Sequence, residues 1–177
     1  MTGLPRQVRG QRGITLLESL AALLVLAVAV LGMLGAQVRT LAETQTGVRR
    51  AQAVRLIEDL AERIKSNPGG FGQLVSYVAD WDTVPPAADC SALDCSPDQL
   101  ARWDVRQWKL NVAQTLPSGE AHVFESADET AENRRQLGVM VGWQAGAGGT
   151  ASLQPTGAAA GAACREGRLC HLVYVQP

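Results

Sequence analysis

A single carboxylate, Glu18, sits inside a stretch that otherwise reads as lipid-facing. From Ser19 to Ala36, eighteen residues carry no charge and are rich in Leu, Ala and Val, enough to span a bilayer as one helix. Extended back to Ile14 the stretch has 23 residues, and Glu18 is its only charge. An ionised carboxylate in hydrocarbon is unfavourable by about 2.5–3.5 kcal/mol at a helix centre on insertion scales, and by less near an end. It therefore needs a cation at its own depth, or a position near the interface, a turn or so from Arg12, from which it can snorkel to water.

The other residues able to do chemistry are fewer. Cys90, Cys95, Cys164 and Cys170 all follow the apolar segment, and an even count in an exported region points to two disulfides. Three pairings are open; the short separations favour Cys90–Cys95 and Cys164–Cys170. The spacings are looser than those of zinc fingers, so no metal is expected. Asp80, Asp82 and Asp89 lack the alternating ligands and closing glutamate of a calcium loop and read as solvated turn residues. His122 and His171 fall in separate candidate strands. No metalloprotease helix, nucleophile elbow or P-loop occurs, so no enzyme site and no cofactor are expected. With a net charge of −1 there is no basic field for direct nucleic-acid binding.

The elements that carry these residues follow from spacing. Met1–Gly13 contains Arg6, Arg9 and Arg12 and no acid, a flank that keeps the N-terminus cytoplasmic and sends the rest across. The apolar run is longer than the core of a secretory signal and continues into more helix, not into a cleavage motif of small residues. After Gln37 the chain turns amphipathic, and Val54, Ile57, Leu60, Ala61 and Ile64 follow the spacing of one helical face. No proline lies between Pro5 and Pro68, and Ser66–Gly70 is a dense stop signal, so one helix is expected from Ile14 to Ser66. Four segments result: a leader 1–13, an apolar helix half 14–36, an amphipathic half 37–66, and a head 67–177.

In the head, Ser96-Pro97-Asp98-Gln99 has the pattern of a capping box with proline at the first helical position. Leu100, Trp103, Trp108, Val112 and Leu116 continue at helical intervals until Pro117, with both tryptophans read as core anchors. Val75–Cys90 has no clean period and reads as an irregular connection. Ala121–Glu125, Leu137–Gln144 and Leu169–Val175 are candidate strands; the second alternates as a half-buried strand does. The Ala/Gly-rich run between the last two reads as a surface loop without the strand–glycine–helix order of a nucleotide site.

At Gly13-Ile14-Thr15-Leu16-Leu17-Glu18 the chain closely resembles type IV pilins and the pseudopilins of type II secretion, which share a basic leader, a glycine before the cut, an apolar helix and a glutamate at the fifth mature position. Ile14 departs from the more usual phenylalanine. The head resembles PilV-type minor pilins in "SNPGGF" (Ser66–Phe71), the Cys90/Cys95 pair before "LARWDVRQWKLNV", "LPSGE" and "VMVGWQ". The resemblance implies an α+β, type IV pilin-like fold: a long N-terminal helix whose C-terminal half packs on a small antiparallel β-sheet head, plus a second helix. It implies cleavage by prepilin peptidase between Gly13 and Ile14, N-methylation of Ile14, and Glu18 as an assembly residue meeting the new amine. It further implies residence in the inner membrane as a single pass with the head in the periplasm. Incorporation into a pilus filament at the cell surface follows, beside other minor and major pilins, with a role in priming assembly or capping the tip. A type II secretion minor pseudopilin and an uncleaved signal-anchored periplasmic protein are the alternatives.

Overall fold

A computed structural model describes residues 15–126, 135–144 and 163–176 of the chain. Its elements run α1 (Leu16–Ser66), a 3-10 helix (Gly70–Tyr77), α2 (Pro97–Thr115), β1 (Glu120–Glu125), β2 (Leu137–Gln144) and β3 (Arg168–Val175). The chain divides into two compact units, residues 1–41 and 42–177. The fold is α+β and type IV pilin-like, with a long N-terminal helix, a second helix and a three-stranded antiparallel sheet in the order β1-β2-β3.

In the unit from residue 42 onward, α1 buries Ala53, Leu56, Ile57, Leu60 and Ile64, a stripe at three- and four-residue steps. Against it α2 buries Ala101, Val105, Trp108 and Val112 in the same core. The Trp108 indole N–H donates to the Leu56 carbonyl at 2.6 Å, tying the two helices by a buried polar bond. Arg63 pairs with Asp59 at 3.0 Å and with the nearly buried Asp104 at 3.4 Å. Burial raises the Asp104 carboxyl, and Arg63 partly offsets this. The capping box at α2 is complete, with Ser96 and Gln99 each bonding the other's backbone N–H. Trp103, read as a core anchor, is instead half-buried: it lies on a different face of α2 from Trp108.

Asn67 organises the end of α1. Its side-chain amide donates to the Tyr77 hydroxyl at 3.0 Å and the Pro97 carbonyl at 2.8 Å, while its carbonyl oxygen accepts from Gly69 N–H at 3.2 Å. One buried side chain thereby holds the turn, the 3-10 helix and the start of α2 together. The expected irregular connection Val75–Cys90 is corrected at its start, since Val75–Tyr77 closes the 3-10 helix, whose Leu74 and Tyr77 fill the core. Ala79 then exchanges two backbone hydrogen bonds with Val123, at 3.0 and 2.9 Å, and so covers the outer edge of β1.

The expectation of a half-buried β2 is also corrected: all its residues but Gln144 are buried. Leu137, Val139, Val141 and Trp143 face the helices. On the opposite face Met140 joins Phe124 and Cys164 in a second cluster, with Trp81, Cys170 and Leu172 packed around it. Glycine makes this possible in the central strand. Gly138 lies opposite Phe124, and a Cβ there would come within 2.8 Å of ring carbon Cε1. At Gly142 a Cβ would meet Cys170 Sγ and Trp81 at 3.3 Å.

Charges close that second face. Arg165 pairs with Asp82 and, at 3.3 Å, with Glu120, and lies 5.9 Å above the Trp81 ring. Its hydrogen bond holds the Asp82 carboxyl below the ordinary value. Lys109 is buried, with its ammonium donating to the carbonyls of Asp80 and Trp81; burial pulls its pKa down to about 8. His122 sits between Trp81 and Phe124, ring centroids 5.3 and 5.1 Å away. Burial lowers its pKa, against the pull of Asp80 and with help from Lys109 and Arg165.

Two outcomes test this packing. Gly138→Ala should overpack the Phe124 site at a cost of about 1–3 kcal/mol, lowering Tm by roughly 2–12 °C. Gly47→Ala, on the exposed side of α1 with nothing within 4 Å, should stabilise the helix by about 1 kcal/mol in the same thermal melts. The sign for His122 is also set. Its folded pKa lies below the ordinary 6.5, so the stability it contributes is present above about pH 6.5 and lost as pH falls through the folded value. His171, lowered by burial and by Arg50, acts in the same direction. Tm should therefore drop between pH 7.5 and 5, and His122→Gln should shrink the drop.

Candidate functional site

In the unit of residues 1–41 the described chain is helix from Leu16 onward, and every residue of it is exposed. One 18-residue window of α1 has a mean hydropathy of 2.5, and none of it is buried. At 1.5 Å per residue that window is about 27 Å long, close to the hydrocarbon thickness of a bilayer. Leu16 and Leu17 are each 79 % exposed. Each such side chain would gain about 1.5–3 kcal/mol on transfer from water into an apolar surrounding. The segment is thus an unsatisfied apolar surface, suited to lipid or to other apolar helices.

Glu18 lies in the first turn of this helix. Its backbone N–H donates to the Thr15 carbonyl at 3.0 Å and to Thr15 Oγ1 at 3.3 Å, while Ser19 N–H also reaches the Thr15 carbonyl, at 3.2 Å. Thr15 therefore caps α1, and Glu18 stands at the third helical position, where an acid also favours the positive end of the helix dipole. The Thr15-x-x-Glu18 spacing is a capping-box signature that the sequence reading passed over in favour of the acid's membrane depth. Gly13 and Ile14 lie outside the described residues.

The cysteines belong to the head. Cys90 is bonded to Cys95 and Cys164 to Cys170. Each closes a short loop, of sequence separation 5 and 6, for which chain entropy gives about 2 kcal/mol. The Cys164–Cys170 bridge ties the segment before β3 onto the second face of the sheet. Two residues that sequence reasoning missed matter as much to the head. In the sequence Asn67 reads only as part of a stop signal, and nothing singles out Lys109. No local pattern marks either, because their partners lie 10 to 30 residues away.

No cluster of three or more potential metal-ligating side chains occurs among the described residues. The arrangement offers a surface for assembly and a cross-linked head. The family model for type IV pilin Tt1218 matches residues 35–106, from within α1 to the middle of α2. No curated protein matches the chain, and no solved structure does. The matched region includes the buried stripe of α1, the Asn67 turn and the Cys90–Cys95 loop. With the long apolar helix and antiparallel sheet described above, this match over part of the chain supports a pilin-like filament subunit of the type IV pilin superfamily.

Proposed function

We propose that the chain is a minor pilin of PilV type, a non-enzymatic subunit that primes filament assembly or caps the tip. Prepilin peptidase cleaves it between Gly13 and Ile14, and the new amine is methylated. The mature helix waits in the inner membrane as a single pass with the head in the periplasm, where both disulfides can form and persist. It then joins the other minor and major pilins of a pilus at the cell surface. The observation that carries this reading is the wholly exposed apolar half of α1 with one carboxylate in its first turn.

That carboxylate has a specific task in the proposal. Cleavage before Ile14 creates a cation at the depth of Glu18, on the same or a neighbouring subunit. In a low-dielectric filament core an unpaired acid is strongly unfavourable, so the pair selects the stagger between helices.

The mature chain extracted from membranes should begin at Ile14 by intact mass, and retention of Met1–Gly13 in cells with active prepilin peptidase would refute the reading. Substitution at Glu18 separates assembly from capping. Glutamine also completes a capping box, so Glu18→Gln keeps the helix start and removes only the charge. Glu18→Gln should insert and be cleaved normally yet enter sheared filaments at least tenfold less. Normal incorporation of Glu18→Gln, with a defect confined to Glu18→Ala, would assign the residue to capping.

A further inference from the structure

A groove of about 400 Å³ runs between α2 and the loop leading into the Cys90–Cys95 bridge. One wall is the segment Ala87–Ser91. The other is Trp103, Arg106 and Gln107, which stand on one face of α2 at three- and four-residue spacing. Its volume falls within the range of small-ligand sites.

The rim is held in place before any ligand arrives. Arg106 donates to the Pro85 carbonyl at 3.4 Å, which anchors the loop to α2. Ser91 bonds the Asp89 carboxylate twice, through its backbone N–H at 3.0 Å and its hydroxyl at 2.5 Å. These bonds keep the Asp89 carboxyl below its ordinary value, so it is an ionised acceptor at neutral pH. The bridge from Cys90 to Cys95 then closes the loop. Trp103 is only half-buried, whereas Trp108 is wholly buried, so the core does not consume the first indole.

The composition of the groove selects its ligand. One guanidinium and one carboxylate leave no net charge to retain a phosphate chain. A lone carboxylate is too little for a divalent cation. Four polar or charged side chains make the site too wet for an acyl chain. An uncharged ring carrying several hydroxyls meets all the groups present. Its C–H face suits an indole, and its vicinal hydroxyls suit the paired polar atoms of Arg106, Gln107 and Asp89. We propose that this groove binds a pyranose unit of a glycan. The site lies wholly in the head and does not depend on the filament reading.

Saturation-transfer NMR on the full chain tests it, in a detergent without a sugar headgroup. The probes are the methyl glycosides of glucose, galactose and mannose, and N-acetylglucosamine. At least one should receive transfer, with a Kd of about 1 mM for a single ring. Trp103→Ala should weaken binding at least tenfold and Gln107→Ala several-fold. If Trp103→Ala fails to fold, Gln107→Ala on the surface of α2 decides. Absence of transfer to all four probes, or transfer undiminished in the folded variants, overturns the proposal.

Discussion

The indole N–H of Trp108 reaches the Leu56 carbonyl at 2.6 Å where both residues are buried, and the seating of α2 on α1 depends on that bond. Apolar contacts between two helices are non-directional, so burial alone would tolerate several registers. A buried indole N–H without a partner costs about 1–3 kcal/mol, and a shift of α2 along α1 would leave it so. Asn67 imposes the same discipline at the end of α1, since its amide has donors and acceptor used in three directions at once. Arg63 adds a third polar tie through Asp104. The helix pair is thus specified by a few polar groups set into a much larger apolar interface.

With the helices seated, the sheet has one face filled and one still to cover. Three strands expose too much apolar surface to leave the second face to water, and among the described residues no helix lies over it. Trp81, Phe124 and the Cys164–Cys170 bridge do the covering, with Arg165 and Lys109 fastening the loops that carry them. The glycines of β2 belong to the same solution. Gly138 and Gly142 give up side chains of their own so that a ring and a disulfide can lie against the strand backbone. Their usual cost in a strand is offset by the burial they permit.

Both units use α1, under opposite demands. From Ala53 to Ile64 its apolar stripe is filled by the protein itself. From Leu16 to Leu41 every described residue is exposed, an apolar surface suited to lipid or to other apolar helices. Thr15 and Glu18 start that exposed segment, with the Glu18 N–H held by the Thr15 hydroxyl at 3.3 Å.

What the sequence by itself determined is the set of features written in short-range pattern. The apolar run, the stop at Ser66–Gly70, the capping box at Ser96–Gln99 and the alternation of β2 each depend on residues within a few positions, so spacing alone reads them. The membrane-length helix and its lone acid, the heart of the candidate site, are of this kind. Only the tertiary structure decided that β2 is buried on both faces, that Trp103 borders a groove while Trp108 fills the core, and that Gly70–Tyr77 is helical. It also decided that Lys109 and Arg165 secure a sheet face. These outcomes rest on partners far apart in the chain, such as Arg165 with Asp82 and Trp108 with Leu56. Periodicity records which face of an element is apolar. Which distant groups satisfy the Asn67 amide, the Trp108 indole and the Lys109 ammonium is settled only when the elements pack and desolvation makes an unmet group costly.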